Sequence, residues 1–330
     1  MPLARWVDLA GQAIFHTIVA ALAVEALVRL WAVREPGQRL ALRALVLAWP
    51  LLGLPLLAAF APGRSDEAFR DGPALFAGRR WDELQLAGVG LFHWWVGLHA
   101  GLGLALFLMD FLPLVIRRRR LPRPDPPASP EGRAVAAALE EVAGRMGLPV
   151  PPLVFLEGAG PVLFCAGAWR PALVTSRAAA ALLDPKELRA ALAHELAHLN
   201  RLDPGVSWLL MGARALQCLN PAFQVVARAM AHDAEWRADE RAAAVTGDRL
   251  ALASALLKLF RATEGRPTAP GRRSLPLAAA LSEPIARARA HEIEGRCRRL
   301  LEPAPRPLAF GALRLAAAAA GLTALLWFVV

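Results

Sequence analysis

The sequence predicts an α+β, mostly helical chain held in a membrane by several spanning helices. Three observations predict it. Four apolar runs, roughly Trp6–Val33, Leu40–Phe60, Leu86–Ile116 and Leu308–Val330, each reach the ~20 residues a helix needs to cross a bilayer. Three short apolar runs, Leu153–Leu156, Val162–Cys165 and Ala172–Thr175, are broken by glycine and proline in the manner of a small sheet. Around them lie alanine- and leucine-rich stretches with helical spacing.

Composition agrees. A hydrophobic fraction of 56% and a mean hydropathy of +0.38 are too high for an ordinary soluble domain. The net charge of +10 raises nucleic-acid binding, but only Lys186 and Lys258 among the 38 basic residues are lysine. Such arginine dominance reads as coding bias, and the densest cluster, Arg117–Arg120, directly follows an apolar run where a positive-inside anchor explains it. No direct nucleic-acid partner is expected. Cys165, Cys218 and Cys297 are far apart, which gives neither a disulfide framework nor a thiolate metal site.

The first apolar run is too long for a secretory signal and more spans follow, so it is read as a retained helix. Within it, Glu25 and Arg29 are spaced to pair. The second span contains Pro50 and Pro55, which membrane helices tolerate when neighbours satisfy the freed carbonyls. Orientation follows arginine placement. The link between the first two spans carries Arg34, Arg39 and Arg43, the next link is balanced to slightly acidic, and Arg117–Arg120 follow the third. Basic links face the cytoplasm, so both termini are expected outside a bacterial inner membrane. The expected domains are a three-span membrane part over 1–120, a cytoplasmic domain over 121–307 and a final span over 308–330.

Leu121–Gly132 carries five prolines and reads as a stiff spacer. A helix is predicted over Glu131–Met146, then the small sheet. Asp184-Pro185 fits an N-cap followed by a first-turn proline, opening a helix that runs past residue 198. Val206–Phe223 is apolar but contains Arg214, costly in lipid, so it is read as a buried or membrane-skimming helix. Further helices are expected from about Pro221 to Thr246 and from Asp248 to Thr263, with Gly265–Glu283 as a loop.

The helix after Asp184 carries His194-Glu195-Leu196-Ala197-His198. Residues four apart on a helix lie one turn above each other. Two imidazoles so placed can close on one tetrahedral zinc, with the intervening glutamate beside the open position. Zinc lowers the pKa of water there to about 7, and Glu195 as general base completes the chemistry of peptide hydrolysis.

Such a site needs a third protein ligand. Glu235 and Asp239 are four apart on a later helix and share a face. Glu235 is assigned as ligand and Asp239 as acceptor of a histidine ring N–H, which fixes its tautomer. The alternative is two solvated charges paired with Arg228, Arg237 or Arg241. His232 is a rival ligand, or a catalytic electrophile beside the oxyanion. The chain has no tyrosine, so that oxyanion falls to His232, Arg228, Arg237, a backbone N–H or zinc itself. Asp203 either supports a histidine or ends the helix.

These residues resemble the β-lactam-sensor membrane metallopeptidases, signal-transducing proteases that release transcriptional repressors. The resemblance covers about Pro161 to Glu302. It rests on Phe164-Cys165-Ala166-Gly167-Ala168-Trp169-Arg170-Pro171, Asp184-Pro185-Lys186-Glu187-Leu188, His194–His198 with Asn200-Arg201-Leu202-Asp203, Asn220-Pro221 and Glu235–Asp239. It implies a zincin-like cytoplasmic domain with one zinc held by His194, His198 and Glu235, and Glu195 as base. It further implies a membrane zinc endopeptidase acting on a protein or peptide substrate, such as a repressor, in regulated proteolysis. Family sensors carry an extracellular ligand-binding domain after the last span, whereas this sequence ends at Val330, so a covalent β-lactam sensor is not expected. The chain is also similar to the prenyl-protein and heat-shock membrane zinc proteases, which implies a quality-control or prenyl-protein protease. A third expectation, of another class, is a non-catalytic membrane receptor or scaffold with structural zinc.

Overall fold

The computed structural model describes residues 3–74, 85–118, 129–156, 160–166, 171–199, 213, 217–264, 276–303 and 311–329. In chain order the helices are α1 (Leu3–Leu30), α2 (Pro36–Ala48), α3 (Leu54–Phe60) and α4 (Glu67–Asp71). Two-residue strands β1 (Gln85–Leu86) and β2 (Val89–Gly90) precede α5 (Leu91–Arg118). Then come α6 (Pro130–Met146), β3 (Leu153–Leu156), β4 (Leu163–Ala166), β5 (Ala172–Ser176), α7 (Arg177–Leu182) and α8 (Pro185–Leu199). The last four helices are α9 (Pro221–Thr246), α10 (Arg249–Glu264), α11 (Pro276–Leu301) and α12 (Gly311–Trp327). They group into two compact units: Met1–Pro113 with Gly205–Ala234 and Pro305–Val330, and Leu114–Pro204 with Glu235–Ala304.

In the first unit, α1 buries Ala20, Val24 and Val28 against Leu42 and Val46 of α2 and Ala318, Leu322 and Leu326 of α12. Among the described residues, Gly11–Leu30 is the stretch long and apolar enough to cross a membrane, while Gly311–Trp327 is apolar but shorter. The expected second span is not one regular helix. It breaks at a π-turn, Trp49–Gly53, where the Trp49 indole N–H donates to His16 Nδ1 at 3.0 Å. The ring leaves no room for a side chain at residue 53, since a Cβ on Gly53 would meet it at 2.7 Å. Glu25 takes Arg43 rather than Arg29 as its partner, at 2.6 and 3.0 Å.

In the second unit, Ser129 Oγ accepts the Gly132 N–H at 3.1 Å to open α6, and Gly147 at φ +65° closes it in the left-handed region. The sheet order is β3-β5-β4, with β3 parallel and β4 antiparallel to β5. At α8, Asp184 Oδ1 accepts the Glu187 N–H and Glu187 Oε2 accepts the Asp184 N–H, each at 2.9 Å. This reciprocal cap satisfies donors the helix leaves open. Residues 187–197 are buried on nearly every side of α8, apart from Arg189 and Glu195, which are half-buried. Leu188, Leu192 and Leu196 share one core with Leu139 of α6, Leu173 of β5, Ala242 of α9, Leu252 of α10 and Leu300 of α11.

Helix α11 corrects one expectation: Pro276–Glu283 is helical, not loop. Pro276 suits a first turn. The proposed spacer and skimming helix lie largely outside the described residues.

Candidate metal centre

The chemistry-bearing residues of the second unit come from three helices and one strand. The buried body of α8 fixes the rotation of His194, Glu195 and His198. His194 Nδ1 lies 2.9 Å from Asp239 Oδ1, so the N–H sits on Nδ1 and the Nε2 lone pair faces away from Asp239. That Nε2 is 3.2 Å from His198 Nε2 and 3.4 Å from Glu235 Oε2, while His198 Nε2 is 3.6 Å from Glu235 Oε1. Ligands about 2.0–2.1 Å from a tetrahedral zinc stand about 3.3–3.4 Å apart. Among the described residues, His194, His198 and Glu235 form the group able to hold a metal ion, and the spacing fits zinc.

Charge gives the same answer. Three carboxylates, Glu195, Glu235 and Asp239, meet one guanidinium, Arg296. With neutral imidazoles and all three carboxylates ionised, a divalent cation would bring the cluster to neutrality, in keeping with the pairing of buried charges. Burial opposes ionisation of Glu235 and Asp239, yet His194 and Arg296 hold both below the usual carboxylate range. Burial pushes Glu195 up, against the pull of His194 and the Cys165 N–H.

Arg296 is the residue the sequence did not disclose. Its Nε is 2.8 Å from Asp239 Oδ2, its Nη2 is 2.7 Å from Asp239 Oδ1, and its Nη1 is 3.0 Å from Glu235 Oε2. The alternative reading pairs these carboxylates with Arg228, Arg237 or Arg241; Arg296, far along the chain on α11, is the arginine that meets both. The only signal was its place in a basic helix. His232, exposed, lies one turn before Glu235 on α9, in the stretch grouped with the first unit. Asp203 is outside the described residues.

The centre has the ligand set of a metallopeptidase, and the sequence comparison gives that class. The chain belongs to the family described as BlaR1 peptidase M56, whose model matches residues 104–278, just over half of it. It is 31% identical to the "Protease HtpX homolog" of Ralstonia nicotianae (strain ATCC BAA-1114 / GMI1000) and 30% identical to that of Ralstonia pickettii (strain 12J). Each match covers 40% of this chain and 57% of the relative, so the chain spans under two thirds of those proteins. No solved structure matches it.

Proposed function

We propose that the chain is an integral membrane zinc endopeptidase that cleaves a cytoplasmic or membrane-proximal protein in regulated proteolysis, such as the removal of a repressor. The observation that carries this is the convergence of His194 Nε2, His198 Nε2 and a Glu235 oxygen within 3.2–3.6 Å of one another. Held there, zinc supplies Lewis acidity toward water and the scissile carbonyl. Glu195 accepts the proton of the attacking water and passes it to the leaving amine. In the order β3-β5-β4, β4 is an edge strand beside α8, suited to an extended substrate added as a further strand. The likeness to the HtpX homologues favours a second reading, in which the substrates are damaged membrane proteins.

Glu195→Gln tests both readings against a receptor or scaffold. The variant is expected to keep about one zinc per chain while cleavage falls by about 10²–10⁴-fold, and a proteome comparison then shows which proteins persist uncut. Unchanged cellular function in that variant would return the scaffold reading. A repressor among the accumulating proteins selects regulated proteolysis; misassembled membrane proteins select quality control.

A further inference from the structure

Arg296 is 7% exposed at its side chain and uses all three guanidinium nitrogens on the metal centre. Nε and Nη2 take the two oxygens of Asp239 as a fork, at 2.8 and 2.7 Å. Asp239 Oδ1 therefore accepts from Arg296 and from His194 Nδ1 together, the latter at 2.9 Å. Nη1 holds Glu235 Oε2 at 3.0 Å, while Glu235 Oε1 lies toward His198 at 3.6 Å. Nη2 stands 3.3 and 3.5 Å from the two ring nitrogens of His194. Such near-equal distances place it along neither lone pair, so it leaves Nε2 open to a ligand.

We propose that Arg296 is a positioning residue for the metal centre, a claim that rests on the zinc reading above. It locks the carboxylate that sets the His194 tautomer and holds one oxygen of the third ligand, so the three donor atoms are arranged before a divalent cation arrives. A planar fork does this where a lysine cannot: one ammonium is a point charge and cannot hold two carboxylates in fixed planes. A merely structural salt bridge needs only one partner. The neighbours on α11 show the contrast. Arg298 is 73% exposed and pairs with Glu294 one turn away, and Arg299 lies over the Trp236 ring at 4.4 Å.

The test is the zinc affinity of the purified full-length chain in detergent, measured by competition with a chromophoric chelator. Arg296→Gln is expected to bind zinc about 10–100-fold more weakly, the range for losing a group that orients a metal ligand. Arg296→Lys keeps the charge and falls between, and it carries the test if the glutamine variant does not fold. Arg298→Gln, on the exposed face, binds as the wild type does. Zinc binding in Arg296→Lys or a folded Arg296→Gln as tight as in the wild type overturns the proposal while leaving the metal centre standing. A wild type that takes up no stoichiometric zinc overturns both.

Discussion

The main-chain N–H of Cys165 donates to Glu195 Oε2 at 3.0 Å. This bond ties the edge strand β4 to the side chain read as the proton carrier. Cys165 is opposite Leu173 in the antiparallel β4–β5 pair, and its N–H is turned away from that partner. In such a pair alternate residues direct both backbone groups outward. The thiol takes no part, since burial first and Glu195 second push it up to about 12.

Cys165→Ala is therefore expected to leave cleavage unchanged, while Cys165→Pro removes the donor. Proline is accepted on an edge strand where the N–H faces outward, so the fold and zinc content should persist. Loss of a hydrogen bond to a charged group corresponds to about 1.5–3 kcal/mol, or about 10–100-fold in rate. Equal rates for the proline variant and wild type would leave the bond without a catalytic role.

Metal removal should be visible as stability. The three proposed ligands lie on α8 and α9, so a cation bound there would cross-link two helices of one core. A ligand at a hundred times its Kd stabilises the native state by about 2.7 kcal/mol. A chelator is expected to lower the midpoint of thermal unfolding reversibly in the wild type and not in His198→Ala. A chelator effect of equal size in both would place the metal elsewhere.

Part of the acid sensitivity of the second unit should trace to Glu187. Burial pulls its carboxyl upward, but the Lys258 ammonium at 2.6 Å, the Ser254 hydroxyl at 2.6 Å and the Asp184 N–H at 2.9 Å hold it below its ordinary value. A depressed folded pKa contributes stability that is complete above the unfolded value, about 4.3, and fades as pH falls through the folded one. Glu187→Gln is expected to be less stable at pH 7 by about 1–3 kcal/mol, with the gap closing toward pH 3. Melting curves across that range check it; a gap independent of pH would assign the loss to packing.

Glu235 and Asp239 were legible because a helix turns four-residue spacing into a shared face, and an H-E-x-x-H upstream gives that face a purpose. The capped start of α8 was legible for a similar reason: Asp184, Pro185 and Glu187 are local signals. Arg296 was not, because its partner Asp239 is 57 residues away and nothing nearby distinguishes it from other arginines. The break between α2 and α3 was half visible. Pro50 and Pro55 announce an irregular helix, but the π-turn's contact through Trp49 reaches His16, 33 residues earlier. Pairing across the first unit was misjudged where proximity along one helix favoured Arg29 for Glu25; Arg29 is exposed, and Arg43 is buried beside Glu25.

That Arg43 also meets Asp233, which is fully buried on α9, and Arg39 approaches the same carboxylate at 3.2 Å. Two arginines from α2 thus face one acidic group two residues before the proposed ligand Glu235 on a continuous helix. Removing one partner of a buried pair costs about 3–5 kcal/mol because the other charge is left uncompensated, whereas replacing both by apolar groups is near neutral. Arg43→Met is expected to lower the unfolding midpoint strongly, and Arg43→Met with Asp233→Leu to recover part of it, the residual belonging to Glu25 and Arg39. A double-mutant cycle on the detergent-solubilised chain measures the coupling. Additive losses would show that Arg39 alone satisfies Asp233 and that the Arg43 contact carries no net energy.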